Sequence, residues 1–96
     1  MSKVLETAAA ALGARTEGAD IDFSAKFDID GEGCLMLDAQ GVRIADADAD
    51  VTISADRDTF EALFSGDLNP TSAFMSGRLK IDGALPLAMR LGTVLS

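Results

Sequence analysis

A chain of 96 residues is one domain, spanning residues 1–96 and able to bury roughly 65% of its unfolded surface. Hydrophobic residues make up 48% and charged residues 25%, a globular balance, and no run approaches the roughly 18 apolar residues of a membrane span. Residues 1–58 hold 13 acidic and 5 basic side chains, so the whole net charge of −8 lies there, while residues 59–96 hold 3 of each. An acidic surface opposes phosphate backbones and anionic bilayers, which argues against nucleic-acid partners and stable membrane insertion.

The first element is a helix over residues 3–12, with Leu5, Ala8, Ala9 and Leu12 on one side and Gly13 as its stop. Met1-Ser2-Lys3-Val4 leads straight into this Ala-rich stretch, broken by Glu6, so it does not read as a secretory signal. Ile21, Phe23, Ala25, Phe27 and Ile29 then alternate with Asp22, Ser24, Lys26 and Asp28, the pattern of a half-buried strand. Asp30-Gly31-Glu32-Gly33 supplies the positive φ angles of a tight reversal. Strands follow over Cys34 to Ala39, Val42 to Ala45 and Asp50 to Ala55, with Gln40-Gly41 as a turn.

Asp58 is the expected cap of the next helix, with Glu61 completing a capping box and Gly66 ending it after Phe60, Leu63 and Phe64. Asn69-Pro70 opens a second short helix by a cap-then-proline start. Gly77 releases the chain into a strand, Arg78 to Asp82, with Leu79 and Ile81 inward. The last element, Leu85 to Leu95, is a helix with two apolar rows: Leu85, Ala88, Met89, Gly92 and Leu95, then Leu87, Leu91 and Val94. Only Arg90, Thr93 and Ser96 are left for water. One sheet buries one row; the other packs under the N-terminal helix, or meets a partner or a bound lipid.

The order is α-β-β-β-β-α-α-β-α. Short turns predict an antiparallel meander, with the late fifth strand joining an edge or inserting beside an early one. The fold class is α+β: a single five-stranded, mostly antiparallel sheet covered on one face by helices.

With no histidine, neither a Ser-His-Asp triad nor a His-liganded metal can be built. Cys34, the sole cysteine, closes no internal disulfide and reads as a small buried hydrophobe, not a nucleophile. Asp46-Ala47-Asp48-Ala49-Asp50 resembles the start of a calcium loop, but Val51 stands where a glycine is needed and Arg57 where a glutamate is needed. No metal, cofactor or catalytic group is expected. Arg78, Lys80 and Arg90 could each hold an anionic headgroup, or simply solvate a strand face and a helix.

Pro70, Ala73-Phe74-Met75, Gly77-Arg78-Leu79-Lys80-Ile81, Gly83 and Ala88-Met89-Arg90-Leu91 resemble the C-terminal signature of the sterol carrier protein type-two (SCP-2) domain family. Arg78 and Arg90 stand where that family usually has lysine. The strand from Asp50 and the following helix with Phe60 fit as well. The resemblance implies a lipid carrier in which sheet and helices enclose an apolar tunnel, smaller than usual or open at one end because the N-terminal helix is short. Carried over by position, the tunnel would involve Phe60, Phe64, Phe74, Met75, Leu85, Met89, Leu91 and Leu95. The same residues could fill a solid core.

The expected function is therefore non-enzymatic: holding a fatty acyl chain, sterol or similar amphipathic lipid between sheet and C-terminal helix. Arginine at Met89 or Leu91 is expected to abolish binding with the fold kept. The alternative is an interaction or scaffold module whose C-terminal helix docks on a protein partner or a second copy. The C-terminal Thr93-Val94-Leu95-Ser96 lacks a Ser-Lys-Leu-type peroxisomal address, and a cytoplasmic location is expected.

Overall fold

The computed structural model describes residues 3–95. In chain order these form α1 (Lys3–Thr16), β1 (Ala25–Ile29), β2 (Gly33–Asp38), β3 (Gly41–Ile44), β4 (Val51–Ala55), α2 (Arg57–Ser65), α3 (Pro70–Met75), β5 (Lys80–Gly83) and α4 (Leu85–Leu95). The element order is the expected one. Ser96, expected to face water, lies outside the described residues.

The five strands form one sheet in the order β3-β2-β1-β4-β5. The meander holds for β1, β2 and β3, but β4 does not pair with β3. It crosses to the far side of β1 and runs parallel to it, with Ala25 opposite Val51 and Ile29 opposite Ala55. Ser24 and Asp50 fix that register. The Ser24 backbone N–H donates to the Asp50 carboxylate at 3.0 Å, and the Asp50 N–H reaches the Ser24 hydroxyl at 3.0 Å. β5 then closes the edge antiparallel to β4, with Ile53 opposite Ile81.

Alternation along the strands gives the sheet two unlike faces. Ala25, Phe27, Ile29, Leu35, Leu37, Val51, Ile53 and Ala55 are buried on the inner face with the helices. Lys26, Asp28, Thr52, Ser54, Lys80 and Asp82 point the other way. Lys26 is paired at 2.8 Å with Asp46, so the segment joining β3 to β4 passes over this outer face.

Local chemistry moved several boundaries. α1 runs through Gly13 to Thr16, because Arg15 and Thr16 are held by their surroundings. The Thr16 hydroxyl donates to the Leu12 carbonyl at 2.9 Å, and the Arg15 Nε–H donates to the Phe64 carbonyl at 3.1 Å. Arg15 thereby satisfies one free carbonyl at the C-terminal end of α2. Ile21 and Phe23 are buried but lie before β1 rather than in it. The cap of α2 is Asp56, not Asp58: its carboxylate accepts the Thr59 N–H at 2.7 Å, while Glu61 sits 3.9 Å from Arg57. Two aspartates two residues apart can each cap, and the end of β4 at Ala55 selects the first.

Candidate functional site

α3 is only 6 residues long. Asn69 caps it by accepting the Thr71 and Ser72 N–H groups at 2.9 and 3.1 Å, Pro70 fills its first position, and Gly77 (φ 81°) turns the chain out. A helix this short cannot reach across the sheet. α4 returns beside it, and Gly92, with no side chain, lies against Pro70, to which a Cβ there would come at 3.8 Å.

Between these two helices and the β1-β4-β5 part of the sheet lies a cavity of about 510 Å³. Phe27, Ile53 and Ile81 from the strands and Leu63 from α2 form its floor. Leu79 and residues of α3 and α4 form its walls. The floor is buried, with Ile81 half-buried, whereas the mouth is not: Met75 is 81% exposed, Met89 68%, Leu85 44% and Phe74 43%. Among the described residues the only polar side chains in the lining are Thr71 and Thr93, and the Thr93 hydroxyl donates to the Met89 carbonyl at 3.3 Å.

Six of the eight positions carried over from the resemblance surround this cavity: Phe74, Met75, Leu85, Met89, Leu91 and Leu95. Phe60 and Phe64 do not. They lie in the core on the far side of Phe27 and line a second, smaller cavity of about 220 Å³ under α1. The strand residues Ile53 and Ile81, and Leu79 just before β5, belong to the large cavity; from sequence they read only as inward strand positions.

The two rows of α4 part company. Leu91 is fully buried, Leu87 and Val94 pack against the core, and α4 lies next to α1. It is the first row, at Leu85 and Met89, that remains uncovered. Arginine at Leu91 would bury a charge and unfold the chain, so of the two expected replacements only Met89→Arg is informative. Thr93 is exposed, as expected, and also borders the cavity.

None of the three cations of the C-terminal part is in the cavity lining. Arg90 pairs with Asp22 at 3.0 Å and lies 4.9 Å over the Phe23 ring. Arg78 donates to the Thr59 hydroxyl at 3.2 Å, tying the start of β5 to the first turn of α2. Hydrogen bonds from Thr59, with Arg78 nearby, hold the Asp56 carboxyl below the usual carboxylate range. Lys80 points to the outer face of the sheet. Cys34 is half-buried on that same outer face, 3.8 Å from Asp28, and is not a core residue. Burial, helped by Asp28, pushes its thiol pKa up and so keeps it protonated. Among the described residues no group of three or more acidic or cysteine side chains could hold a metal, and no helix is long and apolar enough to cross a membrane.

The sequence profile of the SCP-2 sterol transfer family matches residues 3–96. Hydroxysteroid dehydrogenase-like protein 2 of Mus musculus is 42% identical over 74 residues, covering 69% of this chain but 15% of that protein. Two solved structures from Aedes aegypti share the fold. Sterol Carrier Protein 2 Like 2 superposes with a TM-score of 0.79 at 22% identity, over 95% of each chain. Sterol Carrier Protein-2 in complex with the C16 fatty acid palmitate superposes with a TM-score of 0.78 at 21% identity, over 100% of this chain and 97% of that one. At such identities the likeness is one of fold.

Proposed function

Because the chain belongs to the SCP-2 sterol transfer family, we propose that it is a lipid-binding carrier domain that holds an apolar or amphipathic ligand in the cavity between α3, α4 and the sheet. The observation that carries this reading is the cavity itself: about 510 Å³, with a buried apolar floor and a mouth rimmed by Phe74, Met75, Leu85 and Met89. That volume lies within the range of small-molecule sites. Methionine and phenylalanine at the rim are adaptable and can close over chains of different shape. One of the fold relatives was solved with palmitate, which makes a fatty acid the first ligand to try.

The mechanism is burial and not chemistry. Each methylene withdrawn from water contributes about 0.8 kcal/mol, so an acyl chain is held without any catalytic group. With only the Thr71 and Thr93 hydroxyls in the lining among the described residues, the apolar part of the ligand enters and its headgroup stays at the mouth. The chain spans only 15% of its mouse relative and 10% of the bovine one, so nothing of the whole protein's activity is carried over.

Gly92 offers the cleanest test. It lies in α4 without a positive φ, and a Cβ there would meet Pro70 only at ordinary contact distance. Gly92→Phe should fill the cavity while leaving α4 intact, and saturable palmitate binding, read by calorimetry, should disappear. Unchanged affinity in the folded variant would refute the assignment.

The exposed rim also favours a second reading, in which α3 and α4 dock against a second copy of the chain. That reading requires self-association across a micromolar dilution series in sedimentation, abolished by Met89→Arg, and no saturable lipid binding.

A further inference from the structure

Three phenylalanines stand between the two cavities. Phe27 lies in the floor of the large one, while Phe60 and Phe64 line the small one. The Phe27 ring meets each of the other two edge-on at 5.9 Å between centroids, and Phe60 and Phe64 stack on each other at 5.5 Å. All three are buried, so the cluster fills the space between α2 and β1. Both cavities lie on the same face of the sheet: Ile53 of β4 opens on the large one, and Ile29 of β1 on the small one. On α2, Leu63 faces the first and Phe60 and Phe64 the second.

We propose that this aromatic cluster is a partition that sets the length of the ligand's hydrocarbon chain, with the small cavity under α1 as the space a longer chain would occupy if the partition were lowered. The inference rests on the carrier reading above. A chain entering past Met75 and Met89 runs inward until its end meets Phe27, the fully buried ring of the floor. Up to that point each added methylene is taken out of water; beyond it, extra methylenes have no apolar space and must buckle or remain outside. Aromatic rings suit such a stop, since edge-on and stacked contacts lock them against one another and against the close-packed interior.

The test is a binding series with saturated fatty acids from about eight to about eighteen carbons, in which affinity should climb about fourfold per methylene and then level off at a defined length. Phe27→Leu shortens the barrier while keeping an apolar residue in the core, and Phe64→Leu does so from the small-cavity side. In either variant the levelling point should move to longer chains by at least two carbons; Phe64→Leu, whose ring is outside the large cavity, should leave short-chain affinities unchanged. Adding Ala11→Leu, which fills the small cavity from α1 without touching the large one, should return the levelling point to its original length.

An unmoved levelling point in folded variants that bind short chains normally would overturn the partition and leave the carrier reading standing. A shift that survives Ala11→Leu would also overturn it, since the added length would then lie elsewhere. Absence of binding by the unaltered protein at every length would overturn the carrier reading, and the partition with it.

Discussion

Under α1 and α2 the sheet is filled but for the small cavity of about 220 Å³: Phe27, Phe60 and Phe64 interlock, and Leu12, Leu35 and Leu37 are all but inaccessible. Under α3 and α4 the same sheet borders a cavity, and four large apolar side chains stand at its mouth. The two regions use the same kinds of residue. What differs is the reach of the helices: 14 and 9 residues in α1 and α2, against 6 in α3, beside an α4 whose Gly92 presents no side chain. A hollow in a small domain thus arises where covering elements are too short or too bare to fill the space beneath them, and not where apolar residues are lacking. The filled region then has to supply the stability that the hollow one gives up.

Replacing one large residue in each region breaks the comparison most sharply. Phe27→Ala should cost about 3–5 kcal/mol in urea unfolding, because it leaves a void at the centre of the aromatic cluster. Met89→Ala should stay within about 0.5 kcal/mol, because its side chain already lies in water. Equal costs would mean that the cavity mouth is a packed part of the core.

Two glycines give the next effect in size. Gly83 has φ 105°, and a Cβ there would come 2.6 Å from the Asp50 carbonyl oxygen, which also accepts the Ala84 N–H at 3.1 Å. Gly83→Ala should therefore destabilise by more than about 1 kcal/mol and loosen the point where β5 hands over to α4. Gly13, in α1 over the filled region, has open space at its Cβ position, so Gly13→Ala should raise stability by about 0.5–1 kcal/mol. Thermal unfolding of the pair would show whether the signs are opposite.

The smallest effect concerns acid. The Arg43 side chain and the Gln40 N–H hold the Asp38 carboxyl below its ordinary range, and Thr59 does the same for Asp56. A carboxyl depressed in the folded state contributes stability in full above the ordinary carboxylate pKa of about 4, and loses it as pH falls through the lower folded value. Asp56 caps α2 at the edge of the filled region, whereas Asp38 ends β2. Asp56→Asn, which keeps a capping oxygen, should flatten the acid limb of a stability profile below about pH 4. A limb of unchanged slope would remove Asp56 from the account.

Element order was legible because its punctuation is chemical: Gly66 and Gly77 at positive φ, Asn69-Pro70 as a cap, and Asp-Gly at the first hairpin. The crossing of β4 to the far side of β1 was not legible. It depends on Ser24 and Asp50 meeting across 26 residues, and neither carries a local signal of that pairing. Gly13 misled because a weak helix former is overruled when Arg15 and Thr16 have partners further along.

At the cavity, helical spacing marked Leu85, Met89, Leu91 and Leu95 only as members of two apolar rows, and the family resemblance placed them in the lining. The family signature added Phe74 and Met75. Neither signal separates Phe60 and Phe64 from the lining: a ring on an inward helix face looks the same whether it borders a space or fills one. The floor residues Ile53 and Ile81 were hidden for the converse reason, as ordinary inward positions of alternating strands.

The most direct measurement of the central claim is a calorimetric titration of delipidated protein with palmitate, run beside folded Gly92→Phe. The account predicts saturable one-to-one binding by the unaltered chain and none by the variant. Equal binding by both, or no binding by the unaltered chain, would contradict it.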